Sequence, residues 1–417
     1  MIRKIRALTV LLLVFSFAPL HAQIDQEGFD DYTFKIAIYG PDDEIFIWWG
    51  HAALIVENTN WYYPRVYDWG IFSYPSDNFL KDFIHDRVRY MVSWGTLNIN
   101  TRIDEDRDIT IYTLALDRTA KEIMYDYAES RVRAEDRYYD YHEFLDNCST
   151  GVRDILDLGL RGQLKDTLEN VPGRISMRHH VRRFTWFRPF SDWFLDFLMG
   201  RDLDEKRSPW DEMFLPAEIA RNIVDFKYID EHGTERSLVS SVQLLNTSKT
   251  RPPILQEPLI TWPYYLAAGL AVMWLLFFIE TRREKFPRLF RILWGSIQSL
   301  MGLILGACGT VLFIGLYLLN YDYIQQNLNI LFVNPLLLII VPLGILFALN
   351  KSSLICPDRS LRFIWTCVFI MGGLTVVLKI IPFFYQGNHS VYSLILPIAF
   401  ALSNIPGKIH MLMNKKI

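Results

Sequence analysis

Cysteine is scarce in this chain, and it is unevenly placed. Of the 4 cysteines, Cys308, Cys356 and Cys367 lie among apolar segments far downstream, which leaves Cys148 alone in the long polar part. That part therefore holds no disulfide of its own. A lone cysteine there is a partner for another chain, a reactive thiol, or a small buried apolar residue. No sign of charge dominates either: 43 Lys and Arg stand against 46 Asp and Glu, a formal net charge of -3. Internal repeats and low-complexity tracts are absent, and no long apolar run occurs between Gln23 and about Asn246.

What is present divides the chain. A basic start (Arg3, Lys4, Arg6), an apolar run over Ala7–Leu20 and the small residue Ala22 describe a secretory signal peptide over 1–22. No cysteine lies near the expected mature start at Gln23, so the chain is not expected to be a lipoprotein itself. A charged, aromatic domain is expected over 23–245, and "NTSKTRPPILQEP" (246–258), with its three prolines, reads as a linker. Five apolar segments follow within 259–410: Leu259–Ile279, Leu293–Leu319, Ile330–Leu349, Phe363–Ile381 and Val391–Ile409. Each is near the roughly 20 residues that cross a bilayer, although Pro397 and Pro406 interrupt the last.

Loop charges give the orientation. Arg282, Arg283, Lys285, Arg288 and Arg291 follow the first segment, and "NYDYIQQN" after the second has no Lys or Arg. Lys351, Arg359 and Arg362 mark the third loop, "QGNHS" is uncharged in Lys and Arg, and Lys408, Lys415 and Lys416 end the chain. This alternation places the 23–245 domain outside the cytoplasm, in a periplasm-like space, and the 411–417 tail inside. Nucleic acid is excluded as a partner by that location.

In "EFLDNCSTGVRDIL", Asp146 or Asn147 can cap a helix in which Val152, Ile155 and Leu156 recur at helical spacing and Gly159 is the stop. Cys148 then occupies the first turn, where free N–H groups and the helix dipole favour thiolate over thiol. A cysteine nucleophile needs a base, and His51, His85, His142, His179, His180 and His232 are available. His51 opens a strand in "WWGHAALIVEN", and "RVYDWGIF" reads as the next strand of a hairpin centred near Asn60. That register sets His51 within a residue or two of Trp69, so Asp68 can orient the imidazole. The alternative is a satisfied strand histidine beside an acidic edge residue.

Histidine at a strand head, an acidic residue on the following strand and a later "NC" opening a helix resemble the permuted papain-like (NlpC/P60-type) fold. That superfamily includes lecithin–retinol-acyltransferase-like enzymes. Together, "WWGHAALIV", "YDWGIFSYP", "NCSTGVRD", "WDEMFLPAEI" and five spans with "NLNILFVNPL" opening the third resemble the Lnb-type lipoprotein N-acyltransferases of Bacteroidota. The resemblance implies an α+β papain-like catalytic domain on a five-helix transmembrane bundle in the inner membrane. It implies that Cys148 takes an acyl chain from a phospholipid as a thioester. The chain then passes to the α-amine of the diacylglyceryl cysteine of a lipoprotein, with His51 as base and Asp68 where the family often has Asn. No cofactor is implied. A cysteine hydrolase (lipid deacylase, or cell-wall amidase or peptidase) and a non-catalytic membrane scaffold are the competing readings.

Other motifs are weaker. "RISMRHHVRRFTWFRPF" (174–190) suits either anionic headgroups or a solvated basic face. His179 and His180 lack further ligands at metal spacing, so no metal is expected. "DEDRD" (104–108) lacks the Gly and Glu of a calcium loop and reads as a solvated turn. Pro216 is expected to start a helix on the membrane-proximal side, and 226–245 to form a hairpin turning near Gly233. Lys379 either snorkels to the surface or contacts a phosphate.

Overall fold

A computed structural model describes residues 28–72, 89–96, 106–133, 135–319, 321–351 and 356–406. The expected signal peptide and the 411–417 tail lie outside the described residues, as do Asp104, Glu105 and His85.

The polar part is organised by strands whose apolar residues alternate. In β1 (Tyr32–Tyr39), Phe34, Ile36 and Ile38 face one side, and Ala37 and Tyr39 the other. β2 (His51–Asn58) repeats the pattern, with Ala52, Leu54 and Val56 opposed by Ala53 and Ile55. β3 (Arg65–Phe72), β4 (Arg89–Thr96) and β5 (Ile109–Leu114) extend the sheet, which α1 (Arg118–Arg131) then covers before β6 (Tyr138–Asp140) closes one edge. The 7-stranded sheet runs β6-β4-β3-β2-β1-β5-β9, antiparallel throughout.

α2 (Cys148–Gly159) lies on the face that also takes α1. Val152, Ile155 and Leu156 join Ala120, Met124 and Ala128 in the main core, where truncating one large aliphatic costs about 2–5 kcal/mol. Short helices follow: α3 (Gln163–Leu168), α4 (Met177–Arg182), α5 (Pro189–Leu198), α6 (Pro209–Glu212) and α7 (Pro216–Ile223). The expected hairpin forms from β7 (Lys227–Ile229) and β8 (Glu235–Ser237) around Gly233, and β9 (Val239–Asn246) returns to pair with β5.

Four expectations change here. α7 starts at Pro216 as read, but Ile219 and Ile223 enter the sheet core; membrane proximity does not define it. In the 174–190 segment the central arginines are not a solvated basic face. Arg178 is fully buried against Asp196 and Asp204, Arg182 meets Asp192, and Arg183 meets Glu218. The 246–258 linker is strapped down, with Arg251 at 2.8 Å from Asp42 and 3.2 Å from Asp43. The "DEDRD" turn is what it is strapped to: Asp106 accepts the Lys249 N–H, and Arg107 is buried against the Gly40 carbonyl.

The C-terminal part is helical: α8 (Trp262–Thr281), α9 (Pro287–Tyr317), α10 (Ile340–Ala348), α11 (Pro357–Leu378) and α12 (His389–Leu402). Among the described residues, 4 stretches are long and apolar enough to cross a membrane, where the sequence suggested five. The fifth, α12, holds 14 residues, about 21 Å at 1.5 Å each, short of the roughly 30 Å of hydrocarbon. The third crossing stretch, Leu328–Ala348, is two 3-10 turns followed by α10. Its irregular start is satisfied from inside the protein: the Asn327 and Asn329 amides donate to the Phe197 carbonyl.

The two parts meet at the turn before α2. His142 is buried; its Nδ1 faces the N–H groups of Phe144 and Leu145, and its Nε2 lies 3.0 Å from Asp322. An Nδ1 that accepts two N–H groups carries no proton, so the proton sits on Nε2 and points at the carboxylate. Beside it the Tyr323 hydroxyl donates to Glu143 at 3.1 Å, and the Tyr323 and Phe144 rings meet at 5.7 Å.

Candidate active site

Each candidate side chain is held by a local device. Gly50, at φ 87°, delivers the chain into β2, and a Cβ there would come within 2.5 Å of the Tyr39 carbonyl. Only glycine accepts both conditions. His51 thereby becomes the first residue of β2 and pairs with Tyr39 of β1. The β2–β3 register sets Leu54 against Tyr67 and Val56 against Arg65, a hairpin centred by Asn60 as expected. Asp68 is one strand over, with one carboxylate oxygen 3.1 Å from His51 Nε2 and 2.6 Å from the Gly70 N–H. That second bond stops the carboxylate from rotating away.

Cys148 is positioned by its neighbour. Asn147 caps α2 by accepting the Ser149 and Thr150 N–H groups, and Thr150 returns the bond to the Asn147 N–H. The Asn147 amide also donates to the Glu143 and Phe214 carbonyls, fixing the helix start in two further directions. Between the two candidate caps, Asn147 holds the role. α2 is seated on β3 through Gly151, where a Cβ would meet the Trp69 ring at 2.5 Å.

Cys148 and His51 lie close enough to shift each other's protonation, while His51 Nε2 faces Asp68. Burial opposes charge on the imidazole, but Asp68 and Cys148 together raise it from 6.5 to about 10. Burial likewise opposes the thiolate, but His51 and the Ala52 N–H bring Cys148 below its ordinary 9.0. Each partner therefore shifts the other toward the thiolate and imidazolium form, the form in which a cysteine is reactive. Helix dipole and free N–H groups at Cys148 act in the same direction.

Tyrosines wall the thiol. Tyr90 and Tyr141 stack at 4.3 Å, and the Tyr139 hydroxyl donates to the Trp69 carbonyl. Burial first, and then the negative charge on Cys148, raises Tyr139 and Tyr141 above the usual phenol range. Burial, Glu143 and Cys148 together raise Tyr90 to about 12. These phenols stay protonated beside a thiolate. The sequence reading did not single them out, although "YYDYHEF" places two of them a few residues before Cys148. Of the remaining histidines, His180 faces Glu212 at 3.0 Å and His232 is an exposed turn residue, so His51 alone reaches Cys148 among the described residues.

Searches of curated proteins and of solved structures found no match to this chain. Residues 36–183, which carry His51, Asp68 and Cys148, match the family described as Lnb N-terminal periplasmic domain. Those residues are thus similar to that periplasmic domain, and helices long and apolar enough to cross a membrane follow them in the chain.

Proposed function

We propose that this protein is a thiol-dependent lipoprotein N-acyltransferase. The observation that carries the reading is the Cys148–His51–Asp68 constellation, in which His51 lowers the thiol's pKa, in a chain whose later helices are long and apolar enough to cross a membrane. In the first half-reaction the Cys148 thiolate attacks an ester carbonyl of a phospholipid. The tetrahedral oxyanion faces the start of α2, where the Cys148 N–H is the candidate donor. The ester C–O bond breaks, His51 gives its proton to the departing glycerol oxygen, and a thioester and a lysophospholipid result. In the second, the free α-amine of a diacylglyceryl cysteine attacks the thioester. His51 takes the amine proton, the C–S bond breaks, and Cys148 leaves as thiolate, ready for another ester.

Asp68 orients His51 and stabilises its charge throughout; it transfers no proton. The reading includes a permuted papain-like domain over 23–245, the 246–258 connection, a transmembrane domain over 259–410 in the inner membrane and a cytoplasmic tail at 411–417. Both lipid substrates then lie in the leaflet the domain faces. The test incubates a diacylated lipopeptide and phospholipid with wild type or Cys148→Ala and weighs the products. One acyl mass on the α-amine, with wild type alone, is the expected result. Free fatty acid with unchanged lipopeptide would make the protein a hydrolase.

A further inference from the structure

A groove of about 800 Å³ runs between α8, α11 and α12, within the roughly 300–1,000 Å³ of small-molecule sites. Its walls are apolar: Leu266, Leu270 and Met273 from one face of α8, Leu396 and Phe400 from α12. From Trp262 to Met273 it descends eleven residues of α8, about 16 Å at 1.5 Å per residue. That is the depth of one leaflet, half of a roughly 30 Å hydrocarbon core.

The end nearest the N-terminal domain is different. Lys379, Tyr385 and His389 line it, with the half-exposed Trp262 beside them. Lys379 donates to Asn388 at 2.7 Å and sits 4.0 Å over the Tyr392 ring, so neither partner neutralises it. Among the described residues no carboxylate forms an ion pair with Lys379; the nearby Asp196 and Asp204 are already matched by Arg178. An ammonium beside apolar walls keeps such a place when its counter-charge arrives with a ligand.

We infer that this groove is a binding site for one glycerophospholipid, its acyl chain along Leu266–Met273 and its phosphodiester on Lys379. A single molecule supplies both requirements, a tail of one leaflet's depth and an anion at the headgroup level. The mouth of the groove adjoins the N-terminal domain. A Cβ on Gly387 would meet Asp204 at 2.5 Å, and Arg201 donates to the Phe383 carbonyl while stacking 4.4 Å from its ring. The segment at the mouth is thus fixed to the domain that carries Cys148. Binding does not rest on the acyl-transfer reading; service of this lipid as acyl donor does.

The test uses full-length protein carrying Cys148→Ala, so that turnover plays no part, in neutral detergent micelles with a trace of photoactivatable phosphatidylglycerol. Labelling is expected to concentrate on peptides of α8 and α12, to fall at least about fivefold in Lys379→Met, and to vanish when Leu270→Trp fills the groove. Circular dichroism melting confirms that each variant is folded. Labelling spread evenly around the bundle would mean annular lipid only and would overturn the site. Equal labelling by photoactivatable diacylglycerol, or no change in Lys379→Met, would overturn phosphate recognition. If labelling behaves as expected while the lipopeptide assay with the intact cysteine yields nothing, the site stands and the acyl-transfer reading fails.

Discussion

Two of the buried charge clusters among the described residues of the N-terminal domain are built on opposite terms. Around Arg178, guanidinium and carboxylate groups pair fork to fork: Asp204 at 2.7 Å, Asp196 at 2.9 Å, with the Met199 and Gly200 carbonyls taking the remaining donors. There the guanidinium is matched by carboxylates on both sides. Around Cys148, the thiol at a helix start and the His51 imidazole shift each other's pKa toward the charged forms, and both can titrate. Complete pairing marks a cluster that holds structure. A titrating pair with one reactive member marks one that does chemistry.

The comparison can be broken most severely at His51. His51→Ala removes the counter-charge, so acyl transfer is expected to fall about 10²–10⁴-fold, far more than the accompanying loss of stability accounts for. A stability loss without an activity loss would reassign it as a strand histidine. Arg178→Ala should do the reverse. It strands Asp196 and Asp204 without their cation and costs about 3–5 kcal/mol, read by denaturant melts, while Cys148 in the folded fraction alkylates at the wild-type rate.

A smaller effect is expected where the two parts of the chain join. His142→Ala leaves Asp322 and two N–H groups short of a partner, worth about 1–3 kcal/mol, and loosens the turn that leads into Cys148. Melting in detergent, followed with an N-terminal-domain tryptophan signal, reports it. Asp68→Asn is the mildest: the hydrogen bond survives but its charge does not, so activity drops about tenfold, about 1.4 kcal/mol. The sign of its pH effect follows from His51. An imidazole raised from 6.5 to about 10 adds stability that is complete below 6.5 and is lost as pH climbs to 10. In Asp68→Asn that loss, and the alkaline limb of activity, should both move to lower pH.

Much of the site was legible because its signals are local. A capping residue, a cysteine and apolar spacing at i, i+3 and i+4 placed Cys148 on the first turn, and strand alternation with a turn near Asn60 placed His51 beside Asp68. Other features were not, because their causes are distant in sequence. His142 and Asp322 are 180 residues apart, and no pattern announces that they meet. The Arg-rich segment at 174–190 looked solvated because its acidic partners come from 192 to 218. α12 counted as a span by composition, but Ser403 ends it after 14 residues.

The account rests on Cys148 being ionised by His51, and its alkylation tests this most directly. The rate at the Cys148 peptide, separated by mass from Cys308, Cys356 and Cys367, would be measured from pH 5 to 10 for wild type and His51→Ala. We predict a wild-type rate already high at neutral pH and a mutant rate that rises only toward the ordinary thiol range near 9.0. Superimposable profiles would contradict the account and return Cys148 to the status of a buried, unactivated thiol.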